Sequence, residues 1–176
     1  AAQAIKCGLE RSFPHSDILL YPMADGGDGS LEVVQGAAGG ELVHTQGRDP
    51  LGRLCNTSYL MLGDTAFVEM AKISGLTLVP PEERDIMNST TYGLGELIRE
   101  AIEVRRARRV VVAIGGSATN DGGIGMLEAL GFRYDKRENI LDDSQVGAVT
   151  PHLWETDIEV ACDVENPLLG ENGAAA

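Results

Sequence analysis

The sequence has little of what marks several common classes of protein. Cysteine occurs three times, at Cys7, Cys55 and Cys162, widely spaced and without a C-x-x-C pair. That speaks against a disulfide framework and suits free, mostly buried thiols in a reducing cytoplasm. Histidine is as sparse: His15, His44 and His152 are too scattered for a zinc site. Positive charge is scarce, with 14 Lys and Arg against 27 Asp and Glu and a formal net charge of -13. Such a balance argues against nucleic acid or an anionic membrane surface as the main partner. No apolar window approaches transmembrane length, and no signal-peptide pattern opens the chain. Neither G-x-x-x-x-G-K-[ST] nor G-x-G-x-x-G occurs, so any phosphate would be held by helix N-termini, hydroxyls and metal rather than by a P-loop. The first residue is not methionine and residues 170–176 bring no closing element, so the chain reads as an internal piece of something longer.

What the chain does have is glycine, 22 in 176 residues, and an apolar fraction of 43%, enough for a real core. Its organising stretch is 109–131. Val110, Val111, Val112, Ala113 and Ile114 form a short β-branched run without polar alternation, the pattern of a buried parallel strand. From 124 a helix is expected, with Asn120 or Asp121 as N-cap, Ile124, Leu127 and Leu130 on one face, and Gly131 in the left-handed position after its end. The intervening loop holds Gly115, Gly116, Ser117, Thr119, Asn120, Asp121, Gly122 and Gly123. Such a loop brings backbone close to a ligand and offers N–H groups to an anion and a carboxylate to a metal or a proton. A tight strand-to-helix connection without a ligand is the plainer alternative, but four polar side chains in five positions exceed what a turn needs. The pattern D-G-G-x-G-x-L-E also occurs twice, at 25–32 and at 121–128, each time after an apolar run.

In chain order, a helix is expected over 3–13 and a strand over 17–21, then the Asp25 loop and a helix to about 36. Residues 41–70 read as a separate antiparallel meander, with turns at 49–52 and 63–64. A helix over 92–105 should be capped by Ser89 or Thr90 and turn Leu94, Leu97, Ile98 and Ala101 inward; Arg105, Arg106, Arg108 and Arg109 suit its negative end. A short strand at 132–134, a polar loop or weak helix over 136–154 and a strand at 158–162 follow. The fold class is α/β: a parallel Rossmann-like or flavodoxin-like sheet, made of 18–21, 110–114 and 158–162, with helices on both faces plus a small β-rich insertion. In segments, 1–40 is the first part of the α/β domain, 41–74 the β-rich part, and 75–176 the continuation. Asp25, Asp121 and Asp163 each follow a predicted strand. One such Asp is usually a helix cap, whereas three on one sheet edge can hold Mg²⁺ and move protons. Asp25 and Asp121 should then share one cleft at the carboxyl edge. Glu69 is a weaker fourth candidate, and Lys72 and Arg53 are the nearest sources of positive charge.

Six segments together resemble the glycerate kinase family: P-M-A-D-G-G-D-G-S (22–30), D-P-L-G-R (49–53), V-E-M-A-K-I-S-G-L (68–76), T-T-Y-G-L-G-E-L-I (90–98), V-A-I-G-G-S-A-T-N-D-G-G-I-G-M-L-E-A-L-G (112–131) and C-D-V-E-N-P-L-L-G-E-N-G-A (162–174). The resemblance runs in order along essentially the whole chain. It implies transfer of the ATP γ-phosphoryl group to a hydroxyl of D-glycerate with Mg²⁺, by a two-domain cytoplasmic α/β protein. Asp121 and Asp25 are then the expected catalytic residues, with Asp25, Asp121 and Asp163 on the metal. Ser117, Thr119, Asn120, Gly116, Gly26, Gly27, Lys72 and Arg53 are expected to hold substrate or phosphate. Family members are about twice this length and open with a strand and a D-S-F-K-like motif that this sequence does not contain. The rival reading is a non-catalytic module for a small carboxylate or phosphate. A homo-oligomer is compatible with either.

Overall fold

The computed structural model describes residues 2–167, 170, 171 and 173. Two helices, α1 (Ala2–Ser12) and α2 (Ser30–Ala38), precede three strands, β1 (Glu41–Arg48), β2 (Leu54–Leu62) and β3 (Thr65–Glu69). The short α3 (Ala71–Ser74) leads through two 3-10 turns to α4 (Tyr92–Glu103), β4 (Arg109–Ala113) and α5 (Ile124–Ala129). A small hairpin, β5 (Arg133–Asp135) with β6 (Ile140–Asp142), then α6 (Val146–Val149) and β7 (Asp157–Ala161) complete the order.

The main sheet has the order β1-β2-β3-β4-β7. The first two pairings are antiparallel, while β3 with β4 and β4 with β7 are parallel. The α/β class is therefore as expected, and β4 is internal, with Val110 and Ala113 fully buried. The 41–70 meander exists, but it is not a separate patch. Its third strand ladders onto β4 from Thr65–Arg109 to Glu69–Ala113, because the alternating Ala66 and Val68 complete the same apolar surface as Val110 and Val112.

The core lies between that surface and α4. Leu94, Leu97, Ile98, Ala101 and Ile102 recur at helical spacing and are buried against Val43, Tyr59, Met61, Val68 and Val110. Each of the leucines and isoleucines contributes about 1.5–3 kcal/mol through burial, and Ala101 less. Along β3, Val68 faces α4 and its neighbour Glu69 points to the opposite face, where it meets the start of α2. The sheet thus carries helices on both faces.

Several expectations fail, each for its own reason. Residues 17–21 form no strand, and Leu19, Leu20 and Tyr21 are exposed. Among the described residues no strand pairs with the outer edge of β7, and a strand without a laddered neighbour leaves its backbone groups to water. Helix α1 forms where its periodicity places it, yet buries none of its residues. Cys7 and Cys162 are exposed and Cys55 half-buried, so the thiols are not mostly buried. Within 136–154, expected as loop or weak helix, β6 pairs with β5 and α6 buries Val146.

Candidate functional site

Topology decides which loops meet. Because β3, β4 and β7 run parallel and β1 and β2 alternate with them, the 49–53 turn, the start of α3, the 114–123 loop and the exit of β7 all lie at one edge of the sheet. This is the carboxyl edge of the parallel strands, where open α/β sheets place ligands. The Asp25 loop joins them: Gly115 N–H donates to Gly26 O at 2.9 Å, and a Cβ on Gly115 would stand 2.6 Å from Gly27 Cα. Only glycine permits that approach.

The carboxylates at this edge have different employment. Asp121 is half-buried, and its Oδ2 accepts Thr91 N–H at 2.8 Å, Thr91 Oγ1–H at 2.8 Å and Gly125 N–H at 3.1 Å, while Oδ1 accepts Gly123 N–H at 3.0 Å. Thr91 Oγ1 in turn accepts Met126 N–H at 3.0 Å. Asp121 therefore fastens the N-termini of α4 and α5 together, and the helices cross closely at Gly95 and Gly125. Glu69 does the same for α2: fully buried, it accepts Gly29 N–H at 3.0 Å and Leu31 N–H at 2.7 Å. Asp25 is exposed, and among the described residues its Oδ1 accepts only the local Gly27 N–H at 2.9 Å. Asp163 is exposed on the segment leaving β7.

The other expected residues divide likewise. Ser117 and Thr119 are hydrogen-bonded through their hydroxyls at 2.8 Å, and Thr119 N–H donates to Ser117 Oγ at 3.0 Å. Gly116 has φ 73° and its carbonyl accepts Leu76 N–H, pinning the loop to the end of α3. Asn120 is exposed. Lys72 Nζ donates to Glu32 Oε1 at 2.6 Å; this bond, with Glu69 and Asp28 nearby, raises the lysine pKa, and the same bond lowers that of Glu32. Arg53 is held by buried Asp49 at 2.7 Å and by Glu83 at 2.5 Å, both of which raise its pKa. It braces the 49–53 turn. Among the described residues no three His, Cys, Asp or Glu side chains are gathered closely enough to hold a metal ion, so Asp25, Asp121 and Asp163 do not form a ready-made triad.

Two cavities flank the 117–119 ridge and share Ser117 and Thr119 as a wall. One, of about 360 Å³, is mostly apolar and is lined by Met70, Leu94, Ile114, Met126, Ile158 and Val160, with the 119–123 loop at its rim. The other, of about 320 Å³, lies under the 84–89 segment and is lined by Leu76, Val79, Arg84, Ile86 and Ser89. Sequence reading missed Thr91 as the partner of Asp121. Ser89 or Thr90 is the cap expected from the sequence, whereas Thr91 stands at the N-cap position, and nothing in the run marks the carboxylate that meets it.

Two glycine-rich turns that meet at helix starts on the carboxyl edge of parallel strands define an α/β protein with a candidate ligand edge. The chain belongs to the glycerate kinase family, whose model matches residues 1–176. It is 43% identical over 187 residues to glycerate 2-kinase of Escherichia coli (strain K12), covering 99% of this chain and 49% of that protein. Glycerate kinase of Haemophilus influenzae is also 43% identical, over 188 residues covering 99% of this chain and 50% of the relative. A crystal structure described as that of a glycerate kinase 2 from Salmonella typhimurium LT2 superposes with a TM-score of 0.79 at 41% identity, over 98% of this chain and 50% of that one. The chain spans about half the length of the relatives it matches. Residues 168, 169, 172 and 174 of the final family motif lie outside the described residues.

Proposed function

We propose that the protein transfers the γ-phosphoryl group of ATP to a hydroxyl of D-glycerate, with Mg²⁺, in the cytoplasm. The observation that carries this reading is the contact between the 25–29 and 114–117 turns at the carboxyl edge of the sheet. Phosphoryl transfer asks mainly for positioning and charge neutralisation, and these turns supply close backbone and hydroxyls with little covalent machinery. Ser117, Thr119 and Asn120 with the backbone of Gly116, Gly26 and Gly27 hold oxygens of the substrates, and Lys72 adds positive charge.

Asp25 accepts the proton of the attacking hydroxyl, because it is exposed and only one of its oxygens takes a hydrogen bond among the described residues. Asp121 is the positioning residue: its Oδ2 takes three donors from the starts of α4 and α5 and its Oδ1 a fourth, so the carboxylate is committed to holding the two helices. The open carboxylates Asp25 and Asp163 fit Mg²⁺, which is held by one or two carboxylates together with substrate phosphates and keeps several waters. Bound there, the ion would neutralise charge on the transferring group. No helix is long and apolar enough to cross a membrane among the described residues.

Incubation with γ-labelled ATP and D-glycerate tests the reading directly, with labelled phosphoglycerate as the expected product. Saturable binding of D-glycerate without any transfer of label would instead establish a binding module.

A further inference from the structure

Cations at the ligand edge are already spoken for, with one exception. Lys72 is paired with Glu32, Arg53 with Asp49 and Glu83, and Arg48 with Glu96. Arg84 has no ion pair among the described residues, and its Nε donates only a long bond, 3.4 Å, to Val79 O. Its neighbour Asp85 is turned back on its own loop, accepting Met87 N–H at 3.0 Å and Asn88 Nδ2–H at 2.7 Å. Other arginines also lack an ion pair among the described residues, Arg99, Arg108 and Arg133 among them, but Arg84 is the one that lines a cavity bounded by the 117–119 loop. Arg84 and Asp85 both line the cavity of about 320 Å³ that the Ser117 and Thr119 pair also lines, and the Asp85 carboxylate is engaged by its own loop.

We propose that Arg84 holds the carboxylate of the hydroxy-acid substrate in this cavity, with the substrate's hydroxyl end turned toward Ser117 and Thr119. The proposal rests on the phosphoryl-transfer reading for the identity of the acid. The planar guanidinium fork takes a carboxylate, as it would a phosphate, with two parallel hydrogen bonds. What assigns this cavity to the acid rather than to the nucleotide is its neighbour. The neighbouring cavity of about 360 Å³, walled by Met70, Leu94, Met126 and Val160, has the apolar lining that a nucleobase requires. The shared 117–119 wall then lies between donor and acceptor, where a phosphoryl group must pass.

The test uses Arg84→Met and Arg84→Lys with D-glycerate, its neutral amide D-glyceramide, and ATP. Arg84 is exposed, so both variants should keep the parent thermal midpoint. Arg84→Met should raise KM for D-glycerate about ten- to a hundredfold, the loss of a charge-assisted bond, and leave KM for ATP within about twofold. The preference for D-glycerate over D-glyceramide should vanish in Arg84→Met and partly return in Arg84→Lys. A rise in KM for ATP alone would show that Arg84 serves a phosphate and overturn the assignment, as would no change in either constant. If the parent protein transfers no phosphoryl group to D-glycerate, the kinase reading fails separately. Equilibrium titration with D-glycerate and with neutral glycerol then decides: binding of the acid that Arg84→Met abolishes supports the proposal, and binding insensitive to Arg84, or none, refutes it.

Discussion

The two D-G-G-x-G-x-L-E segments are nearly the same in sequence and opposite in what their first carboxylate does. In both, the Asp Oδ1 accepts the N–H two residues on, Gly27 or Gly123, and a glycine with φ of 91° or 80° precedes the helix. They part at Oδ2. Asp121 uses it to join α4 to α5, so the second turn caps its own helix. In the first turn the helix begins two residues later in the motif, at Ser30, and the cap comes from Glu69 on β3. Because a strand supplies that cap, Asp25 stays uncommitted. A repeated motif thus yields one structural and one available carboxylate, and the difference is made by a residue 40 positions away from Gly29.

The sharpest test of that contrast lies at the fifth residue of each motif. A Cβ at Gly125 would stand 2.0 Å from Thr90 Oγ1 and 2.8 Å from Tyr92 N, while one at Gly29 meets nothing within 4 Å. Gly125→Ala should therefore cost about 3 kcal/mol through overpacking of the α4 and α5 crossing. Gly29→Ala carries only the strain of its positive φ, about 1 kcal/mol. Denaturant midpoints of the two variants measure the difference, and equal losses would mean that the two turns are built alike.

The next contrast is between the carboxylates. Asn keeps one acceptor oxygen, so Asp121→Asn strands backbone N–H groups of α4 or α5 and should cost about 2 kcal/mol. Asp25→Asn loses no bond that the amide oxygen cannot make and should change stability by less than about 0.5 kcal/mol. Transfer of phosphoryl to D-glycerate should nevertheless fall about 10²–10⁴-fold in Asp25→Asn. Thermal midpoints and kcat measured on both variants separate the roles; a silent Asp25→Asn would return the proton-accepting role to another group.

How much of this could be read beforehand follows from how local each signal is. The β-branched run 110–114 and the spacing of Leu94, Leu97, Ile98 and Ala101 report burial through the residues themselves, and both elements appear where expected. Gly131, with φ 105°, ends α5 as the pattern demands. Residues 17–21 carry an equally good strand signal, but a strand also needs a neighbour, which no residue within the run encodes. The meander at 41–70 was legible as antiparallel strands, whereas its junction with β4 depends on a pairing across some 44 residues, from Thr65 to Arg109. The site shows the same limit. Asp25 and Asp121 were visible as twins, and only the distant partners Glu69 and Thr91 distinguish them.

The motif's last residue offers the smallest and most selective test. Glu32 Oε1 accepts Lys72 Nζ–H at 2.6 Å, whereas Glu128, its counterpart, is exposed with no ion pair among the described residues. The hydrogen bond from Lys72 holds the Glu32 carboxyl below its ordinary pKa. A carboxyl whose folded-state pKa is depressed adds stability above its unfolded value, about 4.3, and that stability is lost as pH falls through the folded value. The pair is more than half open to water on the glutamate side, so its worth is that of a surface ion pair, about 0.2–1 kcal/mol. Glu32→Gln should therefore lower the thermal midpoint slightly at pH 7, with the gap to the parent closing as pH drops below about 4. Raising the salt concentration at pH 7 should narrow the same gap. Glu128→Gln should give no gap at either pH. A loss in Glu32→Gln that persists unchanged in acid would show that the side chain supports α2 by packing rather than by charge.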